Sequence, residues 1–372
     1  MISEYQTIPT PALLIDRPAL NRNVERVQRL ADQNGVRLRP HTKTHKMPEL
    51  AQMQMNAGAA GIAVAKTAEA EIMADNGLTD IFVANEPVGA DKLARLSRLS
   101  SRVRLSFGVD CVEHLEAAEA AFAESESPAN VLAEVEVGEN RSGVIEKEGM
   151  RALSRYARGC KHVRLLGVFS HDGHSYRAAD AEEARRIGER AQRRTLDMAA
   201  VMEEEGIFPA VVSVGSTTSV LLGCKILPGV TEIRIGTYVF MDLSQADAVG
   251  ADISECCAAS VLLTAISKPS GERVVFDGGA KALTMQKRTQ GITANKGLGL
   301  IKGSGGVCLA GMYDEHSIAL DKALNRSLRI GDKVEIIPNH ICPCVNLFRK
   351  AYLVENGQTI KTIPILCANA IE

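Results

Sequence analysis

The chain has 372 residues, 45% of them hydrophobic and 24% charged, which excludes a single small module and global disorder alike. Its 43 Lys and Arg stand against 45 Asp and Glu, a formal net charge of -2 with the signs interspersed, so no nucleic-acid partner is expected. Nine cysteines, odd in number and without C-x-x-C spacing, read as reduced thiols. With no basic-then-apolar leader over Met1–Thr10 and no run long enough to cross a bilayer, the expectation is a soluble, cytoplasmic protein with no membrane partner.

From residue 18 onward amphipathic stretches alternate with short β-branched runs. The first helix opens with Asp16 as N-cap and Pro18 just inside; Leu20, Val24, Val27 and Leu30 recur at helical spacing, and Gly35 ends it. Buried-strand candidates follow at Val36–Pro40, Gly61–Ala65, Ile81–Asn85, Val103–Val109, Val131–Val137, Val163–Ser170, Ala210–Gly215 and Glu232–Thr237. Helical patterns separate them, among them Pro48–Gly58, Thr67–Gly77, Lys92–Ser101, Val112–Ser125 and Asp180–Gly206. Eight such repeats fit an α/β fold, a (β/α)8 TIM-type barrel over residues 1–250; a doubly wound open sheet produces a similar string. The barrel is favoured because polar residues gather at the C-terminal ends of several different strands, where they would share one mouth.

After about residue 250 strand-rich segments (Ala258–Ser267, Arg273–Asp277, Lys333–Pro338 and Thr362–Leu366) run without intervening helices. Residues 251–372 are therefore expected to form a second, β-rich domain, to which the apolar run Ala12–Ile15 would add a strand, so that residues 1–16 pair there.

Within R-L-R-P-H-T-K-T-H-K (Arg37–Lys46), Lys43 follows a buried strand among basic neighbours. Such surroundings lower an amine pKa, as a Schiff-base lysine requires, although a solvated basic loop reads the same way. V-V-S-V-G-S-T-T-S (Val211–Ser219) and R-I-G-T-Y (Arg234–Tyr238) are tandem turns after strands seven and eight, the usual barrel location for a phosphate group. E-N-R-S-G places Arg141 in a turn after strand five, and S-H-D-G-H-S-Y (Ser170–Tyr176) clusters two His, an Asp and a Tyr after strand six. In N-H-I-C-P-C-V-N (Asn339–Asn346), His340 and Cys342 would share one face of an extended strand and bind a cation, zinc better than magnesium, with Cys344 in reserve. His316, in D-E-H, reads alone as an exposed turn.

Taken together these motifs resemble the D-threonine aldolase and D-serine dehydratase family, the metal-dependent branch of the alanine-racemase-like (fold-type III) pyridoxal-phosphate enzymes. The ordered segments T-P-A-L-L-I-D, R-P-H-T-K-T-H-K, N-R-S-G, H-D-G-H-S-Y, V-G-S-T, R-I-G-T-Y-V-F-M-D, D-G-G-A-K-A, D-E-H and H-I-C-P carry the likeness over essentially the whole chain. The resemblance implies that Lys43 binds pyridoxal 5'-phosphate covalently and that Arg141 faces its phenolic oxygen. It implies further that Ser216, Thr217, Gly236 and Thr237 hold the phosphate, with Tyr238 and His174 alongside. His340 and Cys342 would bind the divalent metal, zinc by preference and manganese or magnesium otherwise, while His316 and Tyr176 would be catalytic beside the substrate. A homodimer is implied too.

The implied activity is that of a lyase of D-β-hydroxy amino acids. Family aldolases tend to H-x-D and hard ions and dehydratases to H-x-C and zinc, so Cys342 and V-G-S-T favour a dehydratase releasing an oxo acid and ammonia from D-serine, D-threonine or 3-hydroxy-D-aspartate. The P-C-V-N-L continuation resembles aldolase-like members, keeping retro-aldol cleavage to glycine and an aldehyde as the alternative. An amino-acid racemase or a non-catalytic pyridoxal-phosphate carrier ranks lower, since neither needs the metal pair.

Overall fold

The computed structural model describes every residue, Met1–Glu372, and the chain falls into two compact units. One comprises Val27–Lys43, Pro48–Gly236 and Ala370–Glu372; the other comprises Met1–Arg26, Thr44–Met47 and Thr237–Asn369. No helix is long and apolar enough to cross a membrane.

Chain order begins with strand β1 (Ala12–Asp16), which belongs to the second unit. The first unit is built on eight parallel strands: β2 (Arg37–Leu38), β3 (Ile62–Val64), β4 (Asp80–Val83), β5 (Arg104–Val109), β6 (Ala129–Glu134), β7 (Val163–Phe169), β8 (Val211–Val214) and β9 (Glu232–Ile233). They pair in the order β2-β9-β8-β7-β6-β5-β4-β3. The two ends of this curled sheet meet: His41 bridges Ala63 in parallel, Ala60 N donates to Leu38 O at 2.9 Å, and Ala63 N donates to Pro40 O at 2.8 Å. Eight strands leave an interior just wide enough for side chains to fill. One layer is apolar, with Ala63, Phe82, Leu132 and Phe169 in contact and the two phenyl rings edge to face at 5.0 Å. Another is ionic. Arg39 donates from Nε to Glu232 Oε2 (2.8 Å) and from Nη1 to Asp80 Oδ1 (2.7 Å). Ser213 Oγ donates to Glu232 Oε1 at 2.8 Å, and the Arg234 guanidinium carbon lies 5.1 Å from the Phe169 ring centroid.

The helices form where the amphipathic stretches predicted them. The longest, Ala181–Glu204, starts because Asp180 Oδ1 accepts from Glu183 N (2.8 Å), and it buries Ala184, Ile187, Ala191 and Met198 along one stripe. The helix Lys147–Gly159 was not among the predicted ones, although Met150, Leu153 and Ala157 give it a buried face.

The second unit is a mixed sheet. Its strands are β1, β10 (Ala259–Ser267), β11 (Arg273–Phe276), β12 (Leu300–Ile301), β13 (Leu309–Met312), β14 (Ser317–Leu320), β15 (Lys333–Ile337), β16 (Lys350–Glu355) and β17 (Gln358–Pro364). The main path runs β13-β14-β11-β10-β1-β16-β17, and β15 joins β10 to β12. The run Ala12–Ile15 lies antiparallel to β10 and parallel to β16, its four side chains buried on both faces, which is why it shows no polar alternation. Short helices interrupt these strands, contrary to the expectation of a helix-free segment: Ile253–Cys256, Ala280–Leu283, Lys322–Ser327 and Ile341–Val345. Helices of four to six residues, two of them capped by Asp side chains as Asp321 caps Leu324 N at 2.6 Å, carry too little periodicity to be read from a sequence.

Candidate active site

In the barrel unit the C-terminal ends of the strands carry the polar residues. After β2, His41 N donates to Ile235 O (3.0 Å) and Thr42 Oγ1 to Ala63 O (3.1 Å), pinning the turn Thr42–Thr44 that presents Lys43, half-buried. After β6, the Glu136 carboxylate accepts from Gly138 N (2.7 Å) and Asn140 N (2.9 Å) and so folds the loop that carries Arg141. Gly143 closes that loop at φ +107°, where a Cβ would come within 2.7 Å of Glu136 N; only glycine fits both demands. Arg141 Nη2 donates to Glu134 Oε1 at 2.9 Å, and Ser142 Oγ donates to Glu134 Oε2 at 2.7 Å.

After β7, the turn Gly173–Arg177 holds His174 and Tyr176, and the Tyr176 ring meets His171 edge to face at 6.2 Å. Because a carbonyl only accepts, the 3.3 Å contact of His171 Nδ1 with Gly215 O places the ring proton on Nδ1 and the lone pair on Nε2. His174 Nδ1 and Glu139 Oε2 are buried, 3.6 Å apart, and neither makes a hydrogen bond. After β8, Ser216 and Thr217 open a short helix, Thr217–Leu221; the Ser216 side chain does not cap it but bonds Asp172 Oδ2 (3.1 Å), Ser175 and Ser219. Burial raises the Asp172 carboxyl despite the hydroxyls of Ser219 and Ser216.

The electrostatics of this mouth are one-sided. Burial, then Lys43, Arg234 and other cationic neighbours, hold His41 well below its ordinary pKa; burial, Lys43, Arg141 and Arg234 do the same to His171. Arg234, fully enclosed, is itself pulled down to about 10 by burial. Two imidazoles kept neutral by burial first and by Lys43, Arg141 and Arg234 second lie in a pocket whose nearby cations favour an anion. That donor set fits pyridoxal phosphate: an amine for its aldehyde, a carboxylate-anchored guanidinium for its phenolate, and hydroxyl and amide donors at Ser216 and Thr217 for its phosphate.

The second unit holds the rest. Thr237 and Tyr238 are buried in the turn Thr237–Val239. The extended-strand reading of His340 and Cys342 is corrected here: His340 is the N-cap of the helix Ile341–Val345 and Cys342 lies in its first turn. Asp242 Oδ2 accepts from Ile341 N (3.2 Å) and starts the helix, and Pro343 falls in the first turn, where its missing N–H costs nothing. Cys342 Sγ stands 3.3 Å from Thr44 Oγ1 and 3.6 Å from Thr237 Oγ1, and His340 Nδ1 lies 2.9 Å from Gln286 Oε1, a contact that orients the ring. Burial pushes Asp242 up to about 6, with His340 pulling against it. Imidazole and thiolate together suit a borderline-soft divalent ion such as zinc. Cys344, the reserve candidate, is buried and donates to Ala282 O (3.1 Å); burial raises its thiol beyond the reach of ordinary titration.

His316 lies exposed in the turn between β13 and β14, where its carbonyl accepts from Tyr313 N (2.7 Å). The Gly278-Gly279 pair explains that turn's position: a Cβ on Gly279 would collide with Tyr313 O and reach His316 N at 2.7 Å and Asp314 O at 2.8 Å. The barrel mouth thus gathers Lys43, Arg141, His174, Tyr176, Ser216 and Thr217, while Thr237 and Cys342 meet in the other unit. Asp242 and Gly279 were assigned no role from the sequence, although both sit in motifs that stood out.

A model of the alanine racemase N-terminal domain matches residues 15–244, and one of a serine dehydratase domain matches residues 258–354. A D-threonine aldolase of an Arthrobacter species is 31% identical over 352 residues, covering 94% of this chain and 90% of its own length. A D-threo-3-hydroxyaspartate dehydratase of a Delftia species is 33% identical over 352 residues, covering 90% and 91%, and its solved structure aligns with a TM-score of 0.89. The crystal structure of a D-threonine aldolase from Filomicrobium marinum aligns with a TM-score of 0.90 at 29% identity, covering 99% of this chain and 98% of that one. Variants of a D-threo-3-hydroxyaspartate dehydratase have been solved with alanine at a histidine and at a cysteine two positions after it, the cysteine variant in the metal-free form.

Proposed function

The chain belongs to the D-threonine aldolase and D-serine dehydratase family of alanine-racemase-like, pyridoxal-phosphate-dependent lyases, and from that premise we propose that it is a zinc-assisted dehydratase of D-β-hydroxy amino acids. The observation that carries the choice is Cys342 beside His340 at the start of one helix, a thiol and imidazole pair with the same two-residue spacing as the histidine and cysteine replaced in the D-threo-3-hydroxyaspartate dehydratase variants. Pyridoxal phosphate, when bound, supplies the electron sink that acidifies the substrate Cα–H bond. In the barrel unit Lys43 Nζ takes the α-proton; Arg141, fixed by Glu134, and the donors of Ser216, Thr217 and Gly236 orient and neutralise the bound anion. His174 and Tyr176 line the same mouth, and the neutral rings of His41 and His171 offer hydrogen bonds without adding charge.

In the second unit His340 and Cys342 would hold the divalent cation, which would supply Lewis acidity at the substrate's β-oxygen. Thr237, Tyr238 and the catalytic candidate His316 belong to this unit as well. Loss of water between Cα and Cβ leaves an enamine, which hydrolyses to an oxo acid and ammonia. The nine free thiols support a reducing, cytoplasmic setting, and the homodimer rests on the family likeness.

The test is product identification with D-serine, D-threonine and D-threo-3-hydroxyaspartate, each with and without a chelator. Oxo acid and ammonia, lost on chelation, are expected; glycine and an aldehyde would move the assignment to an aldolase. Unchanged turnover after chelation would remove the metal from the reaction.

A further inference from the structure

Outside the residues already assigned, the barrel unit contains a compact set of metal-ligand side chains. Asp110, Cys111 and His114 offer a carboxylate oxygen, a thiol sulfur and a ring nitrogen that all lie within 4.8 Å of one another. The local fold explains why. Strand β5 ends at Val109 and a helix begins at Val112, so Asp110 and Cys111 form the turn while His114, in the first helical turn, swings back over it. His114 Nδ1 is 3.1 Å from Asp110 Oδ1. Cys111 occupies the N-cap, a position that Ser, Thr, Asp or Asn normally fill, and its side chain makes no capping bond. Glu113, on the same turn and exposed, brings a second carboxylate.

We infer that Asp110, Cys111 and His114, with Glu113 or water as the fourth ligand, form a second metal site that takes a thiophilic divalent cation of the zinc class. The ligand chemistry is that of tetrahedral zinc: one thiolate, one imidazole and carboxylate oxygen, with the Cys-x-x-His spacing of a single helical turn. The hydrogen bond that Asp110 N donates to His114 Nδ1 at 3.3 Å holds the ring in register beside the Asp110 carboxylate. The site also has a purpose within the fold. Asp110 Oδ2 accepts from Gly143 N at 3.1 Å, and Gly143 closes the loop that carries Arg141. A cation held through Oδ1 leaves that bond intact and clips the loop to the start of the helix. This inference stands on the barrel residues alone and does not depend on the dehydratase reading.

Cobalt(II) is the probe, added to chelator-treated full-length protein and followed by its thiolate-to-metal absorption. The parent is expected to bind two equivalents, and Cys111→Ser and Cys342→Ala one each. In a His340→Ala/Cys342→Ala background one equivalent should remain and should vanish when Cys111→Ser or His114→Ala is added, with the circular dichroism of the helices unchanged. If Cys342 proves not to bind metal, the parent binds a single equivalent that Cys111→Ser abolishes, and the site stands. Thiolate absorption and stoichiometry that Cys111→Ser and His114→Ala both leave unaltered would overturn it.

Discussion

Glu232 lies between two buried guanidinium groups inside the barrel. It accepts from Arg39 Nε at 2.8 Å and from Ser213 Oγ at 2.8 Å, and it is among the charges that steady Arg234, whose own guanidinium bonds Ser213 Oγ (2.8 Å) and Ser170 O (2.9 Å). With Glu232 1% exposed and Arg39 8% exposed, water cannot take over when the carboxylate is removed. Glu232→Gln keeps the shape and one acceptor oxygen but deletes the charge, leaving Arg39 with Asp80 alone and Arg234 without the carboxylate that most favours its charge. Breaking a buried ion pair from one side costs about 3–5 kcal/mol; the retained acceptor places this substitution at the lower end, about 3 kcal/mol. For a body of roughly 200 residues that corresponds to a fall in Tm of about 6–12 °C. The assay is thermal and urea unfolding by circular dichroism, with Asp75→Asn as control. Its partner Arg102 is 2.6 Å away but both side chains are more than half exposed, so the control should lose less than about 1 kcal/mol. A loss for Glu232→Gln no larger than the control's would refute the claim that the ionic layer is held together by this carboxylate.

The other expectations are smaller in scope. Gly279→Ala pushes the Tyr313–His316 turn off its bonds to Ala280 N and Lys281 N; a loss of about 1–3 kcal/mol in urea is expected, and an unchanged midpoint would show that the turn yields freely. Burial, then Glu134 and Asp110, push the Glu86 carboxyl up to about 9, while Glu134, which burial alone would raise, is held low by Glu86, Ser142 and Arg141. A raised folded pKa gives stability that is complete below the ordinary carboxylate range and is lost as pH climbs through about 9. Glu86→Gln, neutral throughout, should therefore flatten the alkaline decline of the urea midpoint, and parallel pH curves for parent and variant would disprove a protonated Glu86. Lys43→Ala should abolish the visible absorbance of bound cofactor without lowering the unfolding midpoint; persistence of the band would reject the lysine.

How much of this could be read beforehand depends on the range of the interaction. The eight barrel strands were legible because strands buried on both faces read as short continuous apolar runs, such as Ile62–Val64, bounded by turn residues. Their ends were overestimated where polar residues such as Arg234 continue the chain inside the barrel without ladder pairing, so that β9 shrinks to Glu232–Ile233. The amphipathic helix Lys147–Gly159 carried its signal in Met150, Leu153 and Ala157 and was passed over. The His340–Cys342 geometry was not legible at all, because what turns that segment into a helix is Asp242, 99 residues earlier in the chain. The neutrality of His41 and His171 is likewise tertiary: it comes from burial and then from Lys43, Arg141 and Arg234, which different strands bring together.

Those two histidines connect the barrel's interior to its chemistry. Arg234 sits at the junction. Its guanidinium lies 5.7 Å from the Phe82 and 5.1 Å from the Phe169 ring centroid, and it draws on Glu232 in the ionic layer, yet it also acts on His41 and His171 at the mouth. A cation in that position has to be held by the fold, because its burial alone opposes its charge. The ionic layer supplies that hold, and the mouth receives a fixed positive field in return. The charge that a bound phosphate needs is thus stored in the barrel before any ligand arrives, which is the condition for strong electrostatic binding without reorganisation on binding. Weakening Glu232 should then loosen anion binding at the mouth as well as the barrel, and the two losses should scale together across substitutions at Glu232 and Ser213.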